Sequence, residues 1–290
     1  MPKIITLIAV ALLLTSMPET PAQAMEISAR DDAKRKINLS GRQRMLSQRM
    51  SKALCFAQAG VEVAAARAQA AAAVGDFEHV LGALQTGDAE LGMRPERTPE
   101  ILSALYQVGV LWREMRPVVN AGLQAPLSDE NLLALHARNV PLLQEMNRAV
   151  GQFETHLGEG LVHPDLKSAI NIAGRQRMLT QKAAKEICMI YLGVRPDEDR
   201  AALGGTIALF NTSLQALQVG NSNAGIIAAP SEEIFWGLDS VNALWQAIAP
   251  TLQAVADGDA VSLEDLSVIA GNIDGVLVEA NLVVQLYEEI

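Results

Sequence analysis

The chain has 290 residues, 50% of them apolar, 19% charged and 4% aromatic, with two cysteines and a formal net charge of -10. That apolar fraction excludes wholesale disorder, and two cysteines exclude a disulfide-rich scaffold. The negative balance argues against a nucleic-acid binder, whose surface has to attract phosphates.

The predicted elements begin with a leader. Lys3, the apolar stretch Ile4 to Leu14 broken only by Thr6, and then Ala22-Gln23-Ala24 read as a signal peptide over residues 1–24, cleaved after Ala24. The apolar stretch is well short of the roughly 20 residues that span a bilayer. No cysteine follows the cleavage point to carry a lipid, and no later segment reads as long and apolar enough to cross a membrane. The expected product is exported and does not span the membrane after cleavage.

From about Ile27 a helix is predicted to run to Ala59, where Gly60 supplies a left-handed stop. A second covers roughly Glu62 to Gln85, ahead of Thr86-Gly87-Asp88. Thr98 and Pro99 form an N-cap and first-turn pair for a third helix reaching about Gly122. Ser128 caps a fourth that continues to His156, with a kink expected at Pro141. Gly158-Glu159-Gly160 marks a boundary, and beyond it caps recur at Ser231 and at Ser262 with Asp265 three residues on. No stretch alternates apolar and polar residues long enough to make a strand.

The chain repeats itself. Ile37-Asn38-Leu39-Ser40-Gly41-Arg42-Gln43-Arg44-Met45-Leu46-Ser47-Gln48 returns as Ile170-Asn171-Ile172-Ala173-Gly174-Arg175-Gln176-Arg177-Met178-Leu179-Thr180-Gln181, an offset of 133. At the same offset Cys55 maps to Cys188, Phe77 to Phe210, Trp112 to Trp245 and Pro117 to Pro250. After one inserted residue, Glu145 and Asn147 match Glu279 and Asn281. A match of that length marks a tandem duplication. The expected fold is all-α: two four-helix bundles, residues 25–159 and 160–290.

On the motif helix, Leu39, Leu46, Met50, Ala53 and Ala57 form one stripe, the face expected to pack into its own bundle. A second stripe holds Ile37, Ser40, Arg44, Gln48, Ser51 and Cys55, and its counterpart holds Ile170, Ala173, Arg177, Gln181, Ala184 and Cys188. Small residues at spacings of 3 and 4, with no Lys or Glu, suit a helix–helix seam. Arg42, Arg49 and Lys52 read as the solvated side. Two copies of a pairing module fused in one chain would meet around a pseudo-two-fold axis, with Arg44 facing Arg177. The other arrangement is pairing between chains.

Facing guanidinium groups repel, and burying them is costly unless something negative lies between. Neither stripe offers an Asp or Glu, so a small planar anion fits, held by two rigid forks of donors. Backbone N–H groups near Gly41 and Gly174, where no side chain blocks approach, are expected to add to the site. Gln48 and Gln181 are candidates to donate to the same anion, or else are seam contacts. Arg30 to Lys52 carries eight basic and two acidic residues, and Lys167 to Glu186 carries five and one. Basicity is therefore concentrated on the two motif helices of an acidic chain, as an anion site requires.

The run Ile/Asn/x/(Ser or Ala)/Gly/x/x/Arg/Met/x/(Ser or Thr)/Gln resembles the signature of the PilJ-type, or NarX-like, sensor module, a periplasmic four-helix bundle of bacterial nitrate sensor kinases and chemoreceptors. The resemblance covers nearly all of residues 25–290. It implies that nitrate, or nitrite more weakly, binds between two copies of the first helix. Position by position it implicates Arg44 and Arg177, with Gly41 and Gly174. The family's sensors continue into a membrane helix and a signalling domain, whereas this sequence stops at Ile290. The expected output therefore passes to a separate membrane sensor or chemoreceptor.

Cys55 and Cys188 lie three helical turns beyond their arginines on the same seam. They form a disulfide if the helices pair in parallel, or remain two buried small residues if the helices are offset. His79, His136, His156 and His163 have no equivalents in the second copy and no ligand-like spacing, so no metal site is expected. Trp112 and Trp245 read as core. No nucleophile–base pair recurs in both copies, so neither an enzyme nor a cofactor is expected. The expected function is periplasmic sensing of nitrate or nitrite. The alternative is an adaptor module docking a membrane receptor or pilus-related protein, its arginine seam meeting acidic residues of the partner.

Overall fold

In the computed structural model, residues 27–290 are described; the leader expected over residues 1–24 lies outside them. The first copy comprises α1 (Ala29–Ala59), α2 (Val63–Thr86), α3 (Pro99–Gln124) and α4 (Asp129–His156). Local chemistry sets their ends. The Ser28 and Ser128 hydroxyls accept the N–H groups of Asp31 and Asn131, and Gly60 closes α1 at φ 86°. The second copy comprises α5 (Pro164–Tyr191), α6 (Pro196–Val219), α7 (Glu232–Gln246), α8 (Ala249–Ala256) and α9 (Leu263–Glu289), the last opened by a capping box between Ser262 and Asp265. No strand occurs among the described residues. Isolated bridges pair Asp88 with Met93 and Asn221 with Ile226, pinning the turns after α2 and α6 at repeat-equivalent positions.

The third helix of the second copy departs from expectation. It breaks into α7 and α8 ahead of Pro250, which sits in the first turn of α8. A proline has no N–H to give and crowds the carbonyl four residues back. The same residue type is carried inside a continuous α3 at Pro117, so proline alone does not dictate the break.

Each copy packs as a bundle, and the bundles meet most extensively along α1 and α5, with α9 also reaching α1. One continuous apolar core runs through both copies. From Asp32 to Phe56 every residue of α1 is buried except Arg35, Arg42 and Arg49. Each fully buried Ile or Met along that stretch, such as Ile37 or Met50, contributes about 1.5–3 kcal/mol.

Two readings are corrected here. Lys52 is not solvated: α1 is enclosed by α2, α4, α5 and α9, and the Lys52 ammonium donates to Asp274 of α9 at 2.9 Å with its side chain 2% exposed. The reading that no later segment has the length and apolarity of a membrane span also fails, because α9 meets both criteria. In the fold its Leu266, Ile269, Ile273, Val276 and Val284 are buried in the protein core, while Leu263, Val268, Val278 and Leu282 of the same helix are exposed.

Candidate functional site

Arg44 on α1 and Arg177 on α5 are each 1% exposed, and they converge on the seam between the two copies. Gly41 and Gly174 make the space. A Cβ at Gly41 would stand 3.1 Å from Arg44 Nη2 and 3.9 Å from Arg177 Nη2, and one at Gly174 would stand 3.1 Å from Arg177 Nη2 and 3.7 Å from Arg44 Nη2. The glycines act through the missing side chain. Their N–H groups belong to the α1 and α5 ladders, so the expectation that backbone donors face the site is corrected.

The hydrogen bonds follow the pseudo-two-fold. Arg44 Nη1 donates to Asn147 Oδ1 of its own copy at 3.2 Å, and Nη2 donates to the carbonyl of Asn171 in the other copy at 3.2 Å. Arg177 Nη1 donates to Asn281 Oδ1 at 2.9 Å, and Nη2 donates to the Asn38 carbonyl at 3.3 Å and to Asn38 Oδ1 at 2.6 Å. Arg44 Nε leans on the Gly41 carbonyl at 3.4 Å, while Arg177 Nε is buried with no partner. Each guanidinium carries five N–H donors, so donor capacity remains on both. Among the described residues neither guanidinium forms an ion pair.

Carboxylates stand one step further out. Asn171 Nδ2 donates to Glu154 Oε2 at 2.7 Å, and Asn38 Nδ2 donates to Glu288 Oε2 at 2.6 Å. Glu154 and Glu288 lie near the ends of α4 and α9 and are equivalents in the duplication. The stripes themselves hold no acid, but the fourth helix of each copy supplies one. Burial holds both carboxyls above the usual range, opposed by Arg44, Arg175 and Lys167 around Glu154 and by Arg35, Arg177 and Lys34 around Glu288. Burial, then Arg175 and Arg177, lowers the Arg44 guanidinium to about 9 against the pull of Glu154. Burial lowers Arg177 to about 10, with Glu288 raising it and Arg42 lowering it further. Both therefore stay charged at neutral pH.

The asparagines and glutamates were missed as site residues. Their signal was present, since each recurs in both copies. A helical pattern alone does not say that residues about a hundred positions apart meet at one guanidinium.

Gln48 and Gln181 lie one turn beyond their arginines. Gln48 Nε2 donates to Ser47 Oγ at 3.2 Å. Gln181 Nε2 donates to Thr180 Oγ1 at 3.4 Å and to Asp274 Oδ1 at 3.2 Å. Their amide donors thus serve the seam, and both carbonyl oxygens are buried without a partner. Cys55 and Cys188 are joined in a disulfide with Cα atoms 6.1 Å apart, clamping α1 to α5. Trp112 and Trp245 are buried and pack on Phe77 and Phe210 with ring centroids 4.9 and 4.0 Å apart, as core residues.

The family model for the N-terminal region of the type IV pili methyl-accepting chemotaxis transducer, PilJ, matches residues 27–138 and 165–268. The chain belongs to this family. Each matched segment contains one copy of the motif helix, so the PilJ unit is present in duplicate, as the internal repeat requires. The methyl-accepting chemotaxis protein McpN of Pseudomonas aeruginosa is 36% identical over 87 residues, which make up 30% of this chain and 16% of McpN. This PilJ chain therefore spans only a small part of that relative. A PilJ unit is a sensing and signalling module of chemotaxis transducers, and the duplicated seam is where this chain concentrates its buried charge.

Proposed function

We propose that the protein senses a small planar anion, nitrate or more weakly nitrite, bound between Arg44 and Arg177, and passes the bound state to a membrane chemoreceptor. The observation that carries this reading is a pair of fully buried guanidinium groups with no ion-pair partner, an unpartnered Nε on one of them, and two glycines whose missing side chains leave room for both groups on one seam. A buried positive pair is stable only when an anion or a set of dipoles compensates it. The dipoles present are asparagine side chains and carbonyls, which leave the net charge uncancelled. The NarX-like likeness of the motif agrees with nitrate as the anion, and the PilJ family and the chemotaxis protein McpN agree with a chemotaxis output. The expected leader would place the protein in the periplasm.

Binding would draw the guanidinium groups together and change the tilt of α1 on α5 about the Cys55–Cys188 clamp, so shifting the balance between two arrangements of the bundles. Calorimetric titration of the protein with nitrate tests the site, with nitrite, chloride and sulfate for comparison. We expect saturable nitrate binding at about one site per chain, lost in Arg44→Lys, which keeps the charge but not the planar fork. Arg44→Ala with Arg177→Ala should behave alike. A flat trace for every anion overturns the proposal and favours a docking module.

A further inference from the structure

The Arg177 side of the seam opens into a cleft of about 660 Å3 between α1, α9 and the turn at Ala89–Gly92. That volume is far more than an inorganic anion fills and lies in the range of small-molecule sites. One wall is a row of arginines, Arg35, Arg42 and Arg49, one every seven residues along α1, and these are the three positions that keep solvent contact between Asp32 and Phe56. The wall contributed by α9 sets an apolar patch beside Asn281, Gln285 and Glu288. It carries Leu277, Val278 and Leu282, with Val278 58% and Leu282 47% exposed. Four arginines, counting Arg177, face only two acids, Glu90 and Glu288, so the lining is positive in a chain whose net charge is -10.

The row keeps donors to spare. Arg35 reaches Glu288 at 3.4 Å and Arg49 reaches Asp274 at 3.3 Å, each through a single nitrogen, and Arg42 contacts the exposed Asp76. A guanidinium with five donors retains most of its fork under such contacts. The duplication sharpens the point. The equivalents of Arg35, Val278 and Leu282 in the other copy are Ser168, Gln144 and Arg148. Arg42 and Arg49 keep cationic equivalents in Arg175 and Lys182, so the two faces differ at Arg35 and at the apolar pair Val278 and Leu282, and cations opposite an apolar patch belong to one face only.

We propose that this cleft binds an organic monocarboxylate with an apolar body, its carboxylate against the Arg35–Arg42–Arg49 row and its body along Val278 and Leu282. Charge and apolarity on opposite walls select a ligand carrying both, because either half alone leaves one wall without a complement. The inference is independent of the nitrate reading.

Octanoate and benzoate are the probes, with acetate as the head group alone and 1-octanol as the body alone, in calorimetric titrations of the protein. Saturable binding of octanoate or benzoate at about one site per chain is expected, with acetate and 1-octanol weaker by at least about tenfold. The double variant Val278→Gln, Leu282→Arg installs the residues found at the equivalent positions and alters only exposed side chains. It should weaken the carboxylate by about tenfold or more while leaving the nitrate titration unchanged. Arg42→Gln should weaken the carboxylate as well. Absence of saturable binding for both probes, or binding that neither variant changes, overturns the proposal, whatever nitrate does.

Discussion

Two guanidinium groups on one seam set the chemistry at the residue scale, and the glutamates behind the asparagines tune it. Glu154 and Glu288 hold their protons more tightly than ordinary carboxyls because burial outweighs the arginines and lysines around them. As pH falls from neutral through that raised range, both become neutral and stop offsetting the field of Arg44 and Arg177. Nitrate affinity should therefore rise between about pH 7.5 and about pH 5. The rise should vanish in Glu154→Gln with Glu288→Gln, which should bind more tightly than the parent at the higher pH. Titrations at the two pH values check this, and an affinity that falls on acidification would remove the glutamates from the site. The same shifts act on stability. The folded state binds more protons than the unfolded state over this interval, so these two carboxyls favour folding more as pH falls toward their raised values.

At the scale of elements, α1 and α5 are held by three devices of different kinds. Apolar and small side chains fill the seam, the Lys52–Asp274 pair ties α1 to α9, and the Cys55–Cys188 bridge fixes the two helices beyond the arginines. The bridge joins residues 133 apart. Closing so long a loop in the unfolded chain should make the disulfide worth about 3–5 kcal/mol. Urea unfolding of Cys55→Ala with Cys188→Ala should show a loss of that order, with the helical signal of the folded state retained. An unchanged midpoint would mean that seam packing alone holds the helices. Helix positions were legible in the sequence because caps and stops are local: Ser128, Ser231 and Ser262 each accept a first-turn N–H as caps do, whereas Thr98 stands at the N-cap position of α3 without a side-chain cap bond and the Ser28 cap of α1 was not anticipated. The α7–α8 break was not legible, since Pro117 and Pro250 carry the same local signal and only one interrupts its helix.

For the whole molecule, duplication has placed in one chain what a symmetric pair of chains would otherwise assemble. The seam then needs no association step, and its two halves are free to diverge, as Arg35 on α1 and Val278 and Leu282 on α9 have done. If the bound anion changes the tilt between bundles, small-angle scattering profiles with and without saturating nitrate should differ. Superimposable profiles, with binding established, would confine the response to side chains.

The sequence by itself determined the all-helical class, the duplication, the helix ends and the stripe that carries Arg44 and Arg177, because periodicity and capping are written in neighbouring residues. Only the tertiary structure decided what those arginines meet. Asn147, Asn281, Glu154 and Glu288 arrive from the fourth helix of each copy, and Asn38 and Asn171 cross from one copy to the other. It also decided that Lys52 is buried and which face of α9 packs into the core. A helical pattern gives the direction in which a side chain points, but its partner is fixed by how distant helices pack, which no local pattern encodes.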